Sequence, residues 1–327
     1  MLLEQGLRRS ARLWPDKIAA IDGDHHITYG RLAERVNRLA NGLIGLGLAP
    51  GDRVGVLMLN AFRYLELYYA VNVVGGIIVP LNYRLAVPEL VFMLNDCSVR
   101  MLVIGREYGD IAEQIEAQCP SLTALIFAED EGAPSRMVAY EALVASASPV
   151  HPSVMVGESD VAGIFYTGGT TGRPKGVMLS HRNLVDNAYR TIISLAYTAD
   201  DTYLHAAPMF HLADSASTFA ITWIGATHAH VRTFDPTAVL ETIARDRVTR
   251  TVIVPTMIAV LINHPAIASS DLSSLRSIGY GASPIAETTL QRAIEVFGCQ
   301  FRQAYGMTEA APILTILAAE DHRSDRS

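Results

Sequence analysis

The chain has 327 residues, half of them apolar and 18% charged. That is enough for about two domains with a large core, and it excludes wholesale disorder. The formal net charge of −7 makes the chain a poor non-specific binder of nucleic acid.

The N-terminus meets charge at Glu4, Arg8 and Arg9, too early for a secretory signal. Thr28 precedes and caps a helical run in which Leu32, Val36, Leu39 and Leu43 recur at helical spacing. The glycines and proline of 45–51 stop it. Val54–Met58 reads as a buried strand, followed by a helix over about 61–74, a strand at Ile77–Val79, a helix from near Pro88 and a strand at Met101–Ile104. This order argues an α/β fold with a mostly parallel sheet and helices on both faces. The uncharged run Leu67–Tyr83 is interrupted by Asn72, Gly75, Gly76 and Pro80. It offers no spanning helix of ~20 apolar residues.

Residues 128–159 are acidic and carry Pro134, Pro149 and Pro152 among serines, which reads as a subdomain boundary. The expected division is a first α/β subdomain at 1–150, a second at 151–317 and a polar tail at 318–327 without periodicity. In the second part, strands are expected at Val161–Thr167, Thr202–Ala206, Ala226–Val231, Thr251–Val254, Leu275–Ile278 and Phe301–Ala304. Helices are expected near 181–197, 236–246 and 284–297.

Cys97, Cys119 and Cys299 are odd in number and far apart. They match neither a disulfide framework nor a zinc knuckle, and are read as reduced thiols of a cytoplasmic protein. His25-His26 and His228-Ala229-His230 lack a cysteine or carboxylate at a familiar metal-site spacing.

The informative segment is Tyr166-Thr167-Gly168-Gly169-Thr170-Thr171-Gly172-Arg173-Pro174-Lys175-Gly176. Glycines let backbone N–H groups turn toward an anion, threonines add hydroxyl donors, and a lysine adds a point charge. Together they suit a polyphosphate. Lysine occurs only at Lys17 and Lys175, so placing one here is informative. The segment is not a Walker A loop, because Gly169 stands where the lysine should be.

Thr167–Gly176 resembles the phosphate-binding signature of the adenylate-forming superfamily of acyl-CoA synthetases, luciferases and peptide-synthetase adenylation domains. Tyr305-Gly306-Met307-Thr308-Glu309 resembles that family's second core motif, and Gly279-Tyr280-Gly281-Ala282-Ser283-Pro284 its adenine-side loop. Ala207-Pro208-Met209-Phe210-His211 is a fourth match in the same order, and the similarity runs from about residue 10 to the end.

The resemblance implies two mostly parallel sheets flanked by helices. The implied reaction is activation of a fatty or other hydrophobic carboxylic acid by ATP and Mg²⁺, then transfer to coenzyme A. It assigns Thr167, Gly168, Gly169, Thr170, Thr171, Gly172 and Lys175 to the phosphates, Thr308 to the α-phosphate and Glu309 to the magnesium ion. Lys175, Thr308 and Glu309 are thereby the catalytic candidates. Gly281, Ala282, Ser283, Tyr305 and Gly306 fall to the nucleotide, and His211, Tyr280 and Gly281 to the acid.

Plainer readings stand beside these. Thr308-Glu309 also suits a helix cap with an acidic first turn, Ser283 a cap before Pro284, and His211 a histidine with a structural partner.

The chain departs from the family's pattern in having Gly168-Gly169 where many relatives place a serine before the second glycine. It also has no lysine after Lys175, so the family's C-terminal lid domain, with its adenylation lysine, is expected to be missing. The chain by itself is expected to turn over little. Two rival readings are a ligase that loads a carrier protein and a non-catalytic nucleotide- or acyl-binding remnant. The sequence leaves peripheral membrane contact and a homodimer open.

Overall fold

The computed structural model describes residues 1–168 and 172–322. The first elements are α1 (Glu4–Leu13), β1 (Ile18–Asp22), β2 (His25–Thr28), α2 (Tyr29–Gly45), β3 (Arg53–Leu57), α3 (Phe62–Val73) and β4 (Ile77–Pro80). Next come α4 (Val87–Asp96), β5 (Met101–Ile104), α5 (Ala112–Glu116), β6 (Ala124–Phe127), β7 (Val138–Ala139) and α6 (Tyr140–Ser146). Then follow β8 (Val161–Thr167), β9 (Lys175–Ser180), α7 (His181–Ser194), β10 (Thr202–His205), α8 (Leu212–Ile224), β11 (Thr227–His230) and α9 (Pro236–Arg245). The last are β12 (Arg250–Ile253), α10 (Pro255–Ile262), β13 (Ser277–Gly281), α11 (Glu287–Phe297), β14 (Gln300–Gly306) and β15 (Ile313–Leu317).

Two compact units share these elements. Met1–Pro15, Gly30–Leu59 and Arg63–Val185 form the first; Asp16–Tyr29, Asn60–Phe62 and the chain from Asp186 onward form the second. The first unit's sheet runs β7-β6-β5-β3-β4-β8-β9, parallel throughout except for the antiparallel β8–β9 pair. Its core is aliphatic, with Leu57, Val79, Leu102 and Ile104 wholly buried. The second unit's sheet runs β15-β14-β13-β12-β10-β11-β1-β2, with antiparallel pairs only at its two ends. Leu204, Ile253, Ile278 and Phe301 build its core. Among the described residues, no helix is long and apolar enough to cross a membrane.

The α/β class and the two mostly parallel sheets are those expected, but several details differ. The acidic stretch from 128 is not a linker: β7 pairs parallel to β6, and α6 begins at the wholly buried Tyr140. The chain stays in the first unit through Val185, because β8 adds to that sheet beside β4, at Ile78 and Gly163. The tail assigned to 318–327 is folded through His322, in a 3-10 turn at Ala319–His322; residues 323–327 lie outside the described residues.

A buried ionic cluster anchors α6. The Arg35 guanidinium donates to both oxygens of Glu66 and, at 2.9 Å each, to both oxygens of Glu141. Arg63 reaches Glu141 at 2.9 Å and also meets Asp130 at 2.5 Å, and the Tyr140 hydroxyl donates to Glu66 at 2.6 Å. Two cations thus face three carboxylates; Arg35, Arg63 and Glu66 are buried, Glu141 is partly so, and Asp130 is exposed.

Candidate active site

The glycine-rich segment joins β8 to β9, an antiparallel pair in the first unit. Gly169, Thr170 and Thr171 lie outside the described residues. The flanks are held firmly. The Tyr166 hydroxyl donates to Asp96 at 2.7 Å, and the Arg173 guanidinium sits 5.6 Å over the Phe92 ring, both partners belonging to α4. Burial, reinforced by that bond to Asp96, raises the Tyr166 hydroxyl above the usual tyrosine range.

Lys175 opens β9 with its side chain exposed, opposite Thr167, whose hydroxyl donates to the Lys175 carbonyl at 3.5 Å. Gly168 is exposed, and Gly172 has a left-handed φ of +89°. The segment leaves the carboxyl end of a strand that runs parallel to β4, the edge where open α/β sheets bind ligands.

The other candidates share one edge of the second unit's sheet. Strands β11, β10, β12, β13 and β14 are parallel, and the candidate residues follow or finish three of them. His211 follows β10 and occupies the N-cap position of α8, exposed, with its ring 4.1 Å from that of Phe210. Gly281 closes β13, and Ala282 beyond it takes a left-handed φ of +66°. A non-glycine residue pays for that backbone with strain, which is concentrated at functional turns. Tyr305 and Gly306 close β14, and Tyr305 is 65% exposed.

Other assignments take a different form in the structure. A Cβ on Gly281 would lie 2.2 Å from the Ala304 carbonyl oxygen, and one on Gly306 would lie 2.1 Å from that of Pro312. Neighbouring backbone therefore already requires both glycines. Tyr280 is a core residue: it is 1% exposed, and its hydroxyl lies 3.0 Å from His322 Nε2. Helix α11 begins at Glu287 with Ala286 as N-cap, so Ser283 does not cap it; the turn at Ala282 re-aims the chain first. Thr308 and Glu309 sit in a three-residue 3-10 turn whose N-cap is Met307, so Thr308 caps no α-helix. Met209 and Phe210 are buried, and Trp223 packs edge-on against Tyr189.

The exposed Glu309 carboxylate fits a hard cation, which takes oxygen ligands and keeps waters and phosphates beside one protein carboxylate. Among the described residues, no group of three or more His, Cys, Asp or Glu is arranged to hold a metal ion.

His228 and His230 are engaged in packing. His205 Nδ1 lies 2.6 Å from Asp214, its Nε2 lies 2.9 Å from His228 Nδ1, and Thr222 completes the line at His228 Nε2, 2.9 Å. His230 stacks on His205 with ring centroids 4.9 Å apart. Burial, then repulsion from His205, lowers the pKa of both outer rings, that of His230 to about 4. This network was missed in the sequence. Its signal was Asp214, a lone carboxylate in the otherwise uncharged run 212–224.

A model of the family described as AMP-binding enzyme matches residues 7–327. The chain is 38% identical over 310 residues to a feruloyl-CoA synthase of Amycolatopsis, covering 94% of this chain and 60% of that protein. It is 33% identical over 302 residues to a long-chain-fatty-acid–CoA ligase of Thermus thermophilus, covering 91% and 55%. Among solved structures, the N-terminal domain of FACL13 from Mycobacterium tuberculosis superposes with a TM-score of 0.91 at 29% identity, covering 98% of this chain and 79% of that one. The chain thus spans 60% or less of the length of these two curated relatives.

Proposed function

The chain belongs to the AMP-binding enzyme family; on that premise we propose that it is the nucleotide- and acid-binding part of an AMP-forming ligase. The ligase joins a hydrophobic carboxylic acid to coenzyme A. The observation that carries this reading is the placement of its motifs. Each leaves the carboxyl end of a parallel strand, and Lys175, Tyr305 and Glu309 are exposed there.

In the proposed chemistry a carboxylate oxygen of the acid attacks the α-phosphorus of ATP. The bond to the bridging oxygen breaks, and pyrophosphate leaves with the electron pair. An anion approaches a polyanion in this step, so the protein must neutralise charge and align the attack. Lys175 supplies a cation for the β- and γ-phosphates, where charge grows as pyrophosphate departs. Backbone N–H groups of the glycine-rich segment, with Thr167, Thr170 and Thr171, donate to the same oxygens. Thr308 donates to the α-phosphate, and Tyr305 covers the adenine.

Glu309 would hold the Mg²⁺, which supplies further neutralisation of phosphate charge. The thiol sulfur of coenzyme A then attacks the acyl carbonyl; AMP leaves, and the thiol proton is released. His211, Gly281 and the backbone of Tyr280 border the acid. Cytoplasmic location and the need for a C-terminal lid with its lysine belong to the same proposal.

The test is acid-dependent AMP formation from ATP–Mg²⁺, with ferulate and palmitate as acids. Coenzyme A and a phosphopantetheine-bearing carrier protein serve as acceptors. The chain extended to the length of its relatives should form a coenzyme A thioester, and the 327-residue chain little or none. AMP formation with neither acid overturns the reading, and transfer to the carrier protein alone replaces coenzyme A as acceptor.

A further inference from the structure

Asn60 lies far in sequence from every motif above, and its side chain is spent on one of them. It is 2% exposed and belongs to the second unit. Its Nδ2 donates to the His205 carbonyl at 3.1 Å and the Ala207 carbonyl at 2.9 Å, while its Oδ1 accepts from the Met209 N–H at 2.8 Å. Its own backbone N–H donates to the Arg232 carbonyl at 3.0 Å, just past β11. One carboxamide therefore uses both N–H hydrogens and its oxygen on the backbone of 205–209.

A primary carboxamide of this length meets that demand with every polar atom satisfied. An aspartate would turn an acceptor toward two carbonyl oxygens, and a serine would supply one donor. The segment so held has a buried foot and an exposed tip: Met209 is wholly buried, and His211, two residues on, faces solvent at the N-cap of α8. The Ser215 hydroxyl adds a bond to the Met209 carbonyl at 3.2 Å.

We infer that Asn60 is a positioning residue for the acid. It fixes where the segment 206–211 leaves β10, and through it the place of His211. This rests on the acid-binding role given to His211 above.

The experiment compares the wild-type chain with Asn60→Ser and the isosteric Asn60→Asp. Amide hydrogen exchange reads the clamp without any ligand. In Asn60→Ser, loss of the acceptor for the Met209 N–H should speed exchange at Met209 by about tenfold, with the amides of β13 unchanged, whereas Asn60→Asp keeps that acceptor and removes the two bonds to the 205 and 207 carbonyls. Titration with ferulate, palmitate and ATP–Mg²⁺ then reads the consequence. The acid bound by the wild-type chain should weaken by about tenfold in both variants that fold, with ATP–Mg²⁺ affinity unaltered. Unchanged exchange at Met209 in Asn60→Ser overturns the inference, and so does equal weakening of acid and nucleotide, which would mark Asn60 as merely structural. Should the wild-type chain take up neither acid, the functional reading falls. The exchange arm still decides whether Asn60 holds the segment.

Discussion

The Arg35 guanidinium forks onto Glu66, Nη2 donating to Oε2 at 3.2 Å and Nε to Oε1, and Glu66 has no solvent exposure at all. Removing one partner of a buried pair leaves the other charge without compensation. Arg35→Ala should therefore cost about 3–5 kcal/mol of stability, read as a lower urea midpoint with an unchanged slope. A loss below about 1 kcal/mol, the range of surface pairs, would show that water reaches Glu66.

Acid should weaken the fold before its carboxylates titrate. Burial holds His181 and His230 at about 4 and His228 well below its usual range. An unfolded imidazole titrates near 6.5. Between these values the unfolded chain takes up protons that the folded chain refuses, so stability rises with pH. The contribution is complete above about pH 6.5 and is lost as pH falls toward 4. For His181 and His230 the fall from 6.5 to about 4 is worth about 3 kcal/mol each at the acid end, and His228 acts in the same direction. Urea midpoints measured from pH 7.5 down to 4.5 should decline steadily, and a level profile would contradict the burial of these rings.

Lys175→Ala and Glu309→Ala should each weaken ATP–Mg²⁺ binding by about 10- to 100-fold, the worth of charge-assisted contacts. Both side chains are exposed, so melting temperatures should stay level. Calorimetry with ATP–Mg²⁺ separates the two effects. Indifference of binding to both substitutions would remove the nucleotide reading.

Gly281→Ala and Gly168→Ala make a contrasting pair. The first drives a methyl into the Ala304 carbonyl, whereas nothing lies within 4 Å of a Cβ on Gly168. Overpacking of this kind costs about 1–3 kcal/mol or more. Thermal melts should show the difference, with Gly168→Ala near wild type in stability.

How far the sequence was readable depended on whether the cause was local. β5 coincides with Met101–Ile104 because four apolar residues in a row, all buried, leave no other reading. β13 starts two residues later than expected and runs on to Gly281, since glycines at 279 and 281 hide a strand whose neighbours demand them. α6 went unseen because its first turn carries Tyr140 and Glu141, whose partners lie on α2 and α3. At the candidate site, the exposed Lys175, Tyr305 and Glu309 could be found from motifs. Tyr280 shares a motif with Gly281 yet points into the core, and strand alternation decides that. Asn60 had no local signal, because its three bonds span about 145 residues or more.

Strand β15 reads Ile-Leu-Thr-Ile-Leu and ends the second unit's sheet, with Leu314 and Leu317 exposed. An uncharged apolar strand at the border of a sheet is a template for self-association. Concentrated solutions of this polypeptide should form edge-to-edge aggregates that grow by strand addition. A single gatekeeper such as Leu314→Lys should raise its solubility limit without touching any residue that meets the nucleotide.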